Sequence, residues 1–135
     1  MERCIRYQAA IIRDGYIALV KQRGEYDYFW WNVPGGGREA NETEEQCIVR
    51  EVKEETNLDV KVGYLLIDGP SHPHSPYQRF KTYLCTPIGG ELKPDDSESY
   101  DVRWFDLSDE AQLKLEIVNN DTSYEMLRRI RQALG

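Results

Sequence analysis

REVKEETNL, from Arg50 to Leu58, places three glutamates near the end of a predicted helix. Glu51, Glu54 and Glu55 are three and four residues apart, so their side chains fall on the same face of that helix. The helix dipole also disfavours carboxylates there, and these effects together cost about 1–3 kcal/mol. One interpretation is a solvated charged surface. The other is a divalent cation, since Mg²⁺ binds a few carboxylate oxygens, keeps several waters and leaves positions for phosphates.

The start of this helix, which we predict from Thr43 to Thr56, is well specified. Thr43 and Gln46 have the spacing of a capping box, in which each side chain bonds the backbone of the other residue. Glu44 and Glu45 then lie in the first turn, where they complement the positive end of the dipole. These two glutamates need no functional explanation, whereas those at the other end do.

Strand-forming segments surround the helix. Asp14-Gly15 separates two β-rich runs and indicates a hairpin. We predict strands at residues 4–14, 15–23, 58–69, 77–88 and 101–107, and an amphipathic helix at 122–134. No repeat or linker interrupts them. The pattern predicts an α/β fold, a mixed sheet with helices packed on it.

The composition limits the class of protein. A chain of 135 residues is expected to form one domain, and its net charge of −7 argues against non-specific nucleic-acid binding. The start, MERCIRYQAA, has no apolar run, so we expect no secretory signal, and no segment is apolar enough to span a membrane. Cys4, Cys47 and Cys85 show no metal-binding spacing. They are typical of reduced thiols, which predicts a cytoplasmic protein.

A longer pattern surrounds the acidic cluster. Residues 36–58 resemble the Nudix box, G-x(5)-E-x(7)-R-E-U-x-E-E-x-G-U, where U is aliphatic. Six of its seven fixed letters match, as do both aliphatic positions, and the preceding WNVPGG is similar to the family's usual approach to the box. Asn57 stands where the family has glycine. Asparagine is the best substitute in a left-handed conformation, so we expect the loop to survive there and at Asn41.

The resemblance implies a Nudix-type α/β/α sandwich, a mixed sheet with helices on both faces, over a single domain of residues 1–135. It also implies Mg²⁺- or Mn²⁺-dependent hydrolysis of the diphosphate linkage in a nucleoside diphosphate derivative. The implied metal ligands are Glu51, Glu54 and Glu55, with a main-chain carbonyl near Gly36.

The resemblance gives roles to four further positions. Arg50 would orient the carboxylates, Glu42 would brace the loop against the helix, and Asn57 would end the helix. The general base stays open between Glu54 and Glu98, an acidic residue that precedes the last strand. A surface position is the alternative for Glu98.

Substrate contacts are expected outside the box. Arg23, Tyr28 and Trp30 are candidates for binding a phosphate or a base, whereas Trp31 is expected in the core. His72 and His74 lack a third ligand and are better explained as loop residues.

A small nucleotide is the expected partner. The leading hypothesis for the substrate is a nucleoside triphosphate. Alternatives are a dinucleoside polyphosphate, ADP-ribose or a nucleotide sugar, or a Nudix-like domain that senses a nucleotide without cleaving it. The oligomeric state stays open, with a homodimer as one option.

Overall fold

The computed structural model describes residues 4–23, 29–73, 75–94, 101–117 and 121–135, which form seven strands and three helices. In chain order they are β1 (Ile5–Arg13), β2 (Tyr16–Arg23), β3 (Phe29–Asn32), β4 (Gly35–Gly36), α1 (Glu44–Thr56), β5 (Leu58–Pro70), β6 (Arg79–Gly90), β7 (Asp101–Asp106), α2 (Glu110–Ile117) and α3 (Asp121–Leu134).

The hairpin between β1 and β2 forms at the predicted turn. Asp14 has a φ of 50° and Gly15 a φ of 82°, so both central residues are left-handed, as a two-residue hairpin turn requires. The two strands pair only beside this turn, where Ile12 faces Ile17. Beyond the turn the two strands separate, and each pairs with other strands.

The sheet is mixed. β1 runs parallel to β6 from Ile5 to Ile11, and β6 pairs antiparallel with β5. β4 adds a short antiparallel pairing to β1, in which Gly36 faces Tyr7. On the other side of the hairpin, β2 pairs antiparallel with β3 and with β7. The order through the sheet is β3-β2-β1-β6-β5.

Alternating residues of β1 face two separate cores. Ala9 and Ile11 pack in the core that contains Ile48 and Val52 of α1. Ala10 packs in the other core, which contains residues of α2 and α3. Since successive side chains of a strand point to opposite faces, helices cover both faces of the sheet. The predicted α/β sandwich is confirmed.

Two strands and one helix were not predicted. β3 and β4 are four and two residues long, too short for an alternating pattern, and α2 has only Leu113 and Ile117 buried. In the described ranges no helix has the length and apolar character needed to cross a lipid bilayer.

Candidate active site

The ends of α1 place the acidic cluster. Thr43 and Gln46 form the predicted capping box, with Gln46 N–H donating to Thr43 Oγ1 at 3.0 Å and Thr43 N–H donating to Gln46 Oε1 at 2.9 Å. Asn57 ends the helix with a φ of 68°, in the left-handed region, and its N–H donates to Lys53 O. Asn41 is also left-handed, with a φ of 65°. Both asparagines therefore adopt the conformation expected from the sequence.

Glu55 is the buried member of the cluster. Its side chain points inward from the last turn of α1, and the residue is only 4% exposed. The N–H of Gly35 donates to Glu55 Oε2 at 3.0 Å. Burial raises the pKa of the Glu55 carboxyl above its usual value, and the charge of Arg6 opposes this shift. A charge at this position therefore needs a nearby cation.

Glu51 lies beside Glu55, one turn earlier on α1. Their carboxyl groups lie close enough to influence each other's charge, and we call these two residues the carboxylate pair. Burial raises the pKa of Glu51 as well, and the hydrogen bond from Arg50 opposes that shift. The Glu51 carboxylate occupies the space beside Gly36, where an added Cβ would lie 2.2 Å from Oε2. A side chain at position 36 would therefore displace this carboxylate.

Arg50 ties the preceding loop to the helix. Its Nε donates to Glu42 Oε2 at 2.7 Å and its Nη2 donates to Glu42 Oε1 at 3.0 Å, which is a bidentate pair. Nη2 also donates to Gly37 O at 3.2 Å, and Nη1 donates to Glu51 Oε1 at 2.6 Å. The Arg50 side chain thus fixes Glu51 and the glycine loop relative to each other.

We expect Arg50→Lys to destabilise the fold by about 1–2 kcal/mol, because lysine cannot reproduce the bidentate contact with Glu42. Urea unfolding at an unchanged m-value measures the loss. The matched control is Arg79→Lys, which affects an exposed pair with Asp68 and should leave the midpoint nearly unchanged. Equal midpoint shifts in the two variants would contradict this role of Arg50.

A cleft of about 860 Å³ opens beside Arg6, and none of the described residues that line it belongs to the segment 36–58. Three aromatic side chains in its wall are Trp30, Tyr77 and Phe80, and polar side chains in it include Arg6, Gln8, Gln22, Asn32, Ser123 and Arg129. This volume is in the upper range of small-molecule binding sites. The cleft therefore has room for a ligand larger than a single nucleoside.

Arg6 and Tyr77 join the cleft to the carboxylate pair. Arg6 lines the cleft and also acts electrostatically on Glu55. Its Nη2 donates to Val33 O at 2.9 Å, just before the glycine loop. Tyr77, on the other wall, lies 3.7 Å from the Cβ position of Gly37. A ligand that contacts Arg6 or Tyr77 would therefore lie near Glu55 or the glycine loop.

Residues 6–129 match the family model described as NUDIX domain. This chain belongs to that family. It is 37% identical over 99 residues to the NAD-capped RNA hydrolase NudC of Vibrio atlanticus, covering 72% of this chain and 35% of that protein. It is 34% identical over 105 residues to the ADP-ribose pyrophosphatase of Methanocaldococcus jannaschii, covering 76% of this chain and 62% of that protein. The chain thus spans about a third to three fifths of the length of these curated relatives.

A solved structure shows a similar fold. The ADP-ribose pyrophosphatase from Streptococcus suis superposes with a TM-score of 0.74 and 27% identity, covering 96% of this chain and 90% of that one. The Nudix fold expected from the sequence is therefore confirmed.

Glu54, the third glutamate of the Nudix box, lies apart from the carboxylate pair. Its side chain is more exposed, and its Oε2 lies 3.4 Å from Arg50 Nη1. Within the described part of the chain, no three Asp, Glu, His or Cys side chains converge closely enough to hold an ion. A ligand set of three carboxylates would require Glu54 to turn toward the pair.

The Nudix box nevertheless fits a divalent cation. Glu51 and Glu55 present neighbouring carboxylates, the first half-buried and the second buried, and carboxylate oxygens are the donors that hard cations such as Mg²⁺ prefer. Gly36 leaves the space that Glu51 occupies, and its carbonyl, which lies 3.8 Å from Cys47 Sγ, is the predicted main-chain ligand. Mg²⁺ is commonly bound by one or two carboxylates together with waters and substrate phosphates, so two protein carboxylates are enough to bind it.

The residues considered outside the Nudix box, as substrate contacts or in other roles, have different outcomes. Trp30 lines the cleft, and Trp31 is buried in the core as expected. Arg23 lies at the end of β2, but among the described residues that line the cleft the contribution of β2 is Gln22. Tyr28 and Glu98 lie outside the described residues, as does His74.

The sequence interpretation missed a polar network in the cleft of this Nudix domain. Arg6 Nε donates to Gln8 Oε1 at 3.0 Å, and Gln8 Nε2 donates to Thr82 Oγ1 at 2.7 Å. Gln8 and Thr82 are both buried. A signal was present, because Gln8 directly precedes the apolar run from Ala9 to Ile12, and a buried amide needs partners.

Proposed function

We propose that this protein hydrolyses the diphosphate linkage of a nucleoside diphosphate derivative with the help of Mg²⁺ or Mn²⁺. The observation that carries the proposal is the carboxylate pair of Glu51 and the buried Glu55, which Arg6 connects to a large cleft. Buried carboxylates with raised pKa values are typical of functional sites. The nucleotide would lie in the cleft with its diphosphate directed toward Glu51 and Glu55.

Each residue has a proposed role. Glu51 and Glu55 hold the cation, with Glu54 and the Gly36 carbonyl as further ligands. Arg50 positions Glu51, and Glu42 holds Arg50. Glu54 and Glu98 are the two candidates for removing a proton from the attacking water. A cation held by these residues would neutralise phosphate oxygens and lower the pKa of a coordinated water.

Two substrate classes are proposed. ADP-ribose and related nucleoside diphosphates come first, because two of the relatives named above are ADP-ribose pyrophosphatases and the cleft has room for a group beyond one nucleoside. Nucleoside triphosphates come second, because the Nudix box itself accommodates either class. Residues 1–135 would act as one Nudix domain.

A substrate screen tests this proposal. The protein is incubated with Mg²⁺ and, separately, with nucleoside triphosphates, dinucleoside polyphosphates, nucleotide sugars, ADP-ribose and NAD, and both products of each reaction are identified. We expect AMP and ribose 5-phosphate from ADP-ribose. A protein that binds these nucleotides but cleaves none of them would be a nucleotide sensor, and the proposal would be wrong.

We expect millimolar Mg²⁺ or Mn²⁺ to raise the thermal midpoint, because the cation binds the folded state and not the unfolded chain. Differential scanning fluorimetry with and without chelator measures the shift. The matched control is Glu45→Gln in the first turn of α1, which should keep the whole shift because Glu45 is exposed and far along the helix from the pair. An unchanged midpoint in the wild type would rule out the metal site.

A further inference from the structure

Three residues on adjacent strands lie side by side in a row along one wall of the cleft. Arg6 of β1 is paired with Phe80 of β6, and Phe80 is paired with Gly69 of β5. Adjacent strands are about 4.8 Å apart, so Arg6 and Gly69 are separated by roughly 10 Å. Arg6 is at the end of this row near Glu55. Gly69 is at the far end.

A second arginine occupies the far end of the row. The guanidinium of Arg129, from α3, lies over the Phe80 ring with 5.4 Å between its Cζ and the ring centroid. Its Nη2 lies 3.6 Å from the Cβ position of Gly69, in space that a larger side chain would fill. Phe80 itself is only 6% exposed. The guanidinium of Arg129 therefore packs over a buried aromatic ring at the wall of the cleft.

The acid nearest to Arg129 along α3 is hydrogen-bonded to a different arginine. Glu125 lies one turn earlier on α3 and also lines the cleft. Both of its carboxylate oxygens accept from Arg128, at 2.9 and 2.6 Å. Across the described ranges, Arg129 forms no salt bridge and no hydrogen bond of its own side chain. Its guanidinium donors thus remain available to a ligand in the cleft.

We propose that Arg129 binds a second anionic group of the substrate, a phosphate ester carried on the ribose of the nucleotide. The proposal rests on the proposed function, because the diphosphate is taken to lie at the other end of the row, near Arg6 and the carboxylate pair. A nucleotide with a phosphate on its 2′- or 3′-oxygen presents two anionic groups that can engage both ends. Ser71 lines the cleft two residues after Gly69 and adds a hydroxyl to the same end.

Binding of nucleotides that lack a diphosphate tests this proposal without any hydrolysis. Isothermal titration calorimetry compares AMP with adenosine 2′,5′-bisphosphate and adenosine 3′,5′-bisphosphate, at fixed Mg²⁺ concentration. We expect at least one bisphosphate to bind the wild type about tenfold or more tightly than AMP, the size of a charge-assisted hydrogen bond. The two bisphosphates distinguish a 2′- from a 3′-phosphate.

Three variants separate Arg129 from general surface charge. Arg129→Gln should bring the affinities for AMP and the bisphosphate to within about twofold of each other, and Arg129→Lys should retain part of the preference. Arg131→Gln removes the same charge two residues further along α3, where Arg131 pairs with Glu110 of α2, and is expected to keep the preference. Bisphosphates that bind the wild type no more tightly than AMP would overturn the proposal, whether or not a variant folds. So would an Arg129→Gln protein that loses affinity for AMP and bisphosphate equally.

The binding experiment and the substrate screen can fail separately. A protein that cleaves nucleoside diphosphates but ignores the ribose phosphate disproves only the role of Arg129. A protein that prefers the bisphosphate through Arg129 but cleaves none of the screened compounds disproves only the hydrolysis.

Discussion

Glu55→Gln is expected to lower kcat by at least about a hundredfold on whichever nucleotide the protein cleaves, the effect of losing one electrostatic catalytic group. Glutamine fits the space and can still accept the N–H of Gly35, so the helix end should be preserved. It cannot neutralise a cation. Since Glu55 is buried and adjacent to Glu51, removing its charge should leave the thermal midpoint unchanged or raise it.

Steady-state kinetics and scanning fluorimetry on the same preparation measure both effects. Glu45→Gln is the matched control, because it makes the same chemical change in the exposed first turn of α1 and should retain wild-type kcat. A Glu55→Gln protein that is folded, active and still stabilised by Mg²⁺ would refute the role of Glu55 in the site.

Gly36→Ala is expected to lower kcat/KM by about ten- to a hundredfold, because displacing a catalytic group by an ångström can have an effect of this size. The new Cβ would lie 2.2 Å from Glu51 Oε2 and 2.6 Å from its Cδ, so the carboxylate must move. The obstructing atoms belong to the end of a side chain, and the fold should therefore tolerate the change.

The neighbouring glycine provides the control. At Gly37 the nearest atoms to an added Cβ are Cε1 and Oη of Tyr77, both at 3.7 Å, an ordinary van der Waals separation. Gly37→Ala should therefore keep kcat/KM within about twofold of the wild type. Kinetics and the Mg²⁺-induced midpoint shift distinguish the two variants. Equal activity in both would show that the position of Glu51 does not matter for turnover.

Local signals in the sequence predicted much of the fold and the centre of the site. The capping box at Thr43, the left-handed turn at Asp14-Gly15 and the left-handed Asn57 each depend on a few adjacent residues, and all three form as predicted. The contact between Glu51 and Glu55 also follows from helical spacing. These features are determined by neighbours in the chain, and a single sequence is enough to find them.

Features that depend on distant residues were not predictable in the same way. The cleft draws its wall from five strands, a loop and α3, and no local pattern relates Gln8 to Thr82 or Arg129 to Gly69. The parallel pairing of β1 with β6 joins segments about 70 residues apart, and its register is fixed by packing on both faces. The sequence therefore identified the acidic cluster but not the cleft or the kind of ligand that would fit it.

The two cores on opposite faces of β1 have a consequence for how this protein can evolve. The Nudix helix α1 packs into one of them, whereas the α3 wall of the cleft packs into the other. Substitutions on α3 can accumulate without disturbing the residues that support Glu51 and Glu55. Lineages that share this scaffold can thus acquire new substrate preferences while inheriting an unaltered hydrolytic centre.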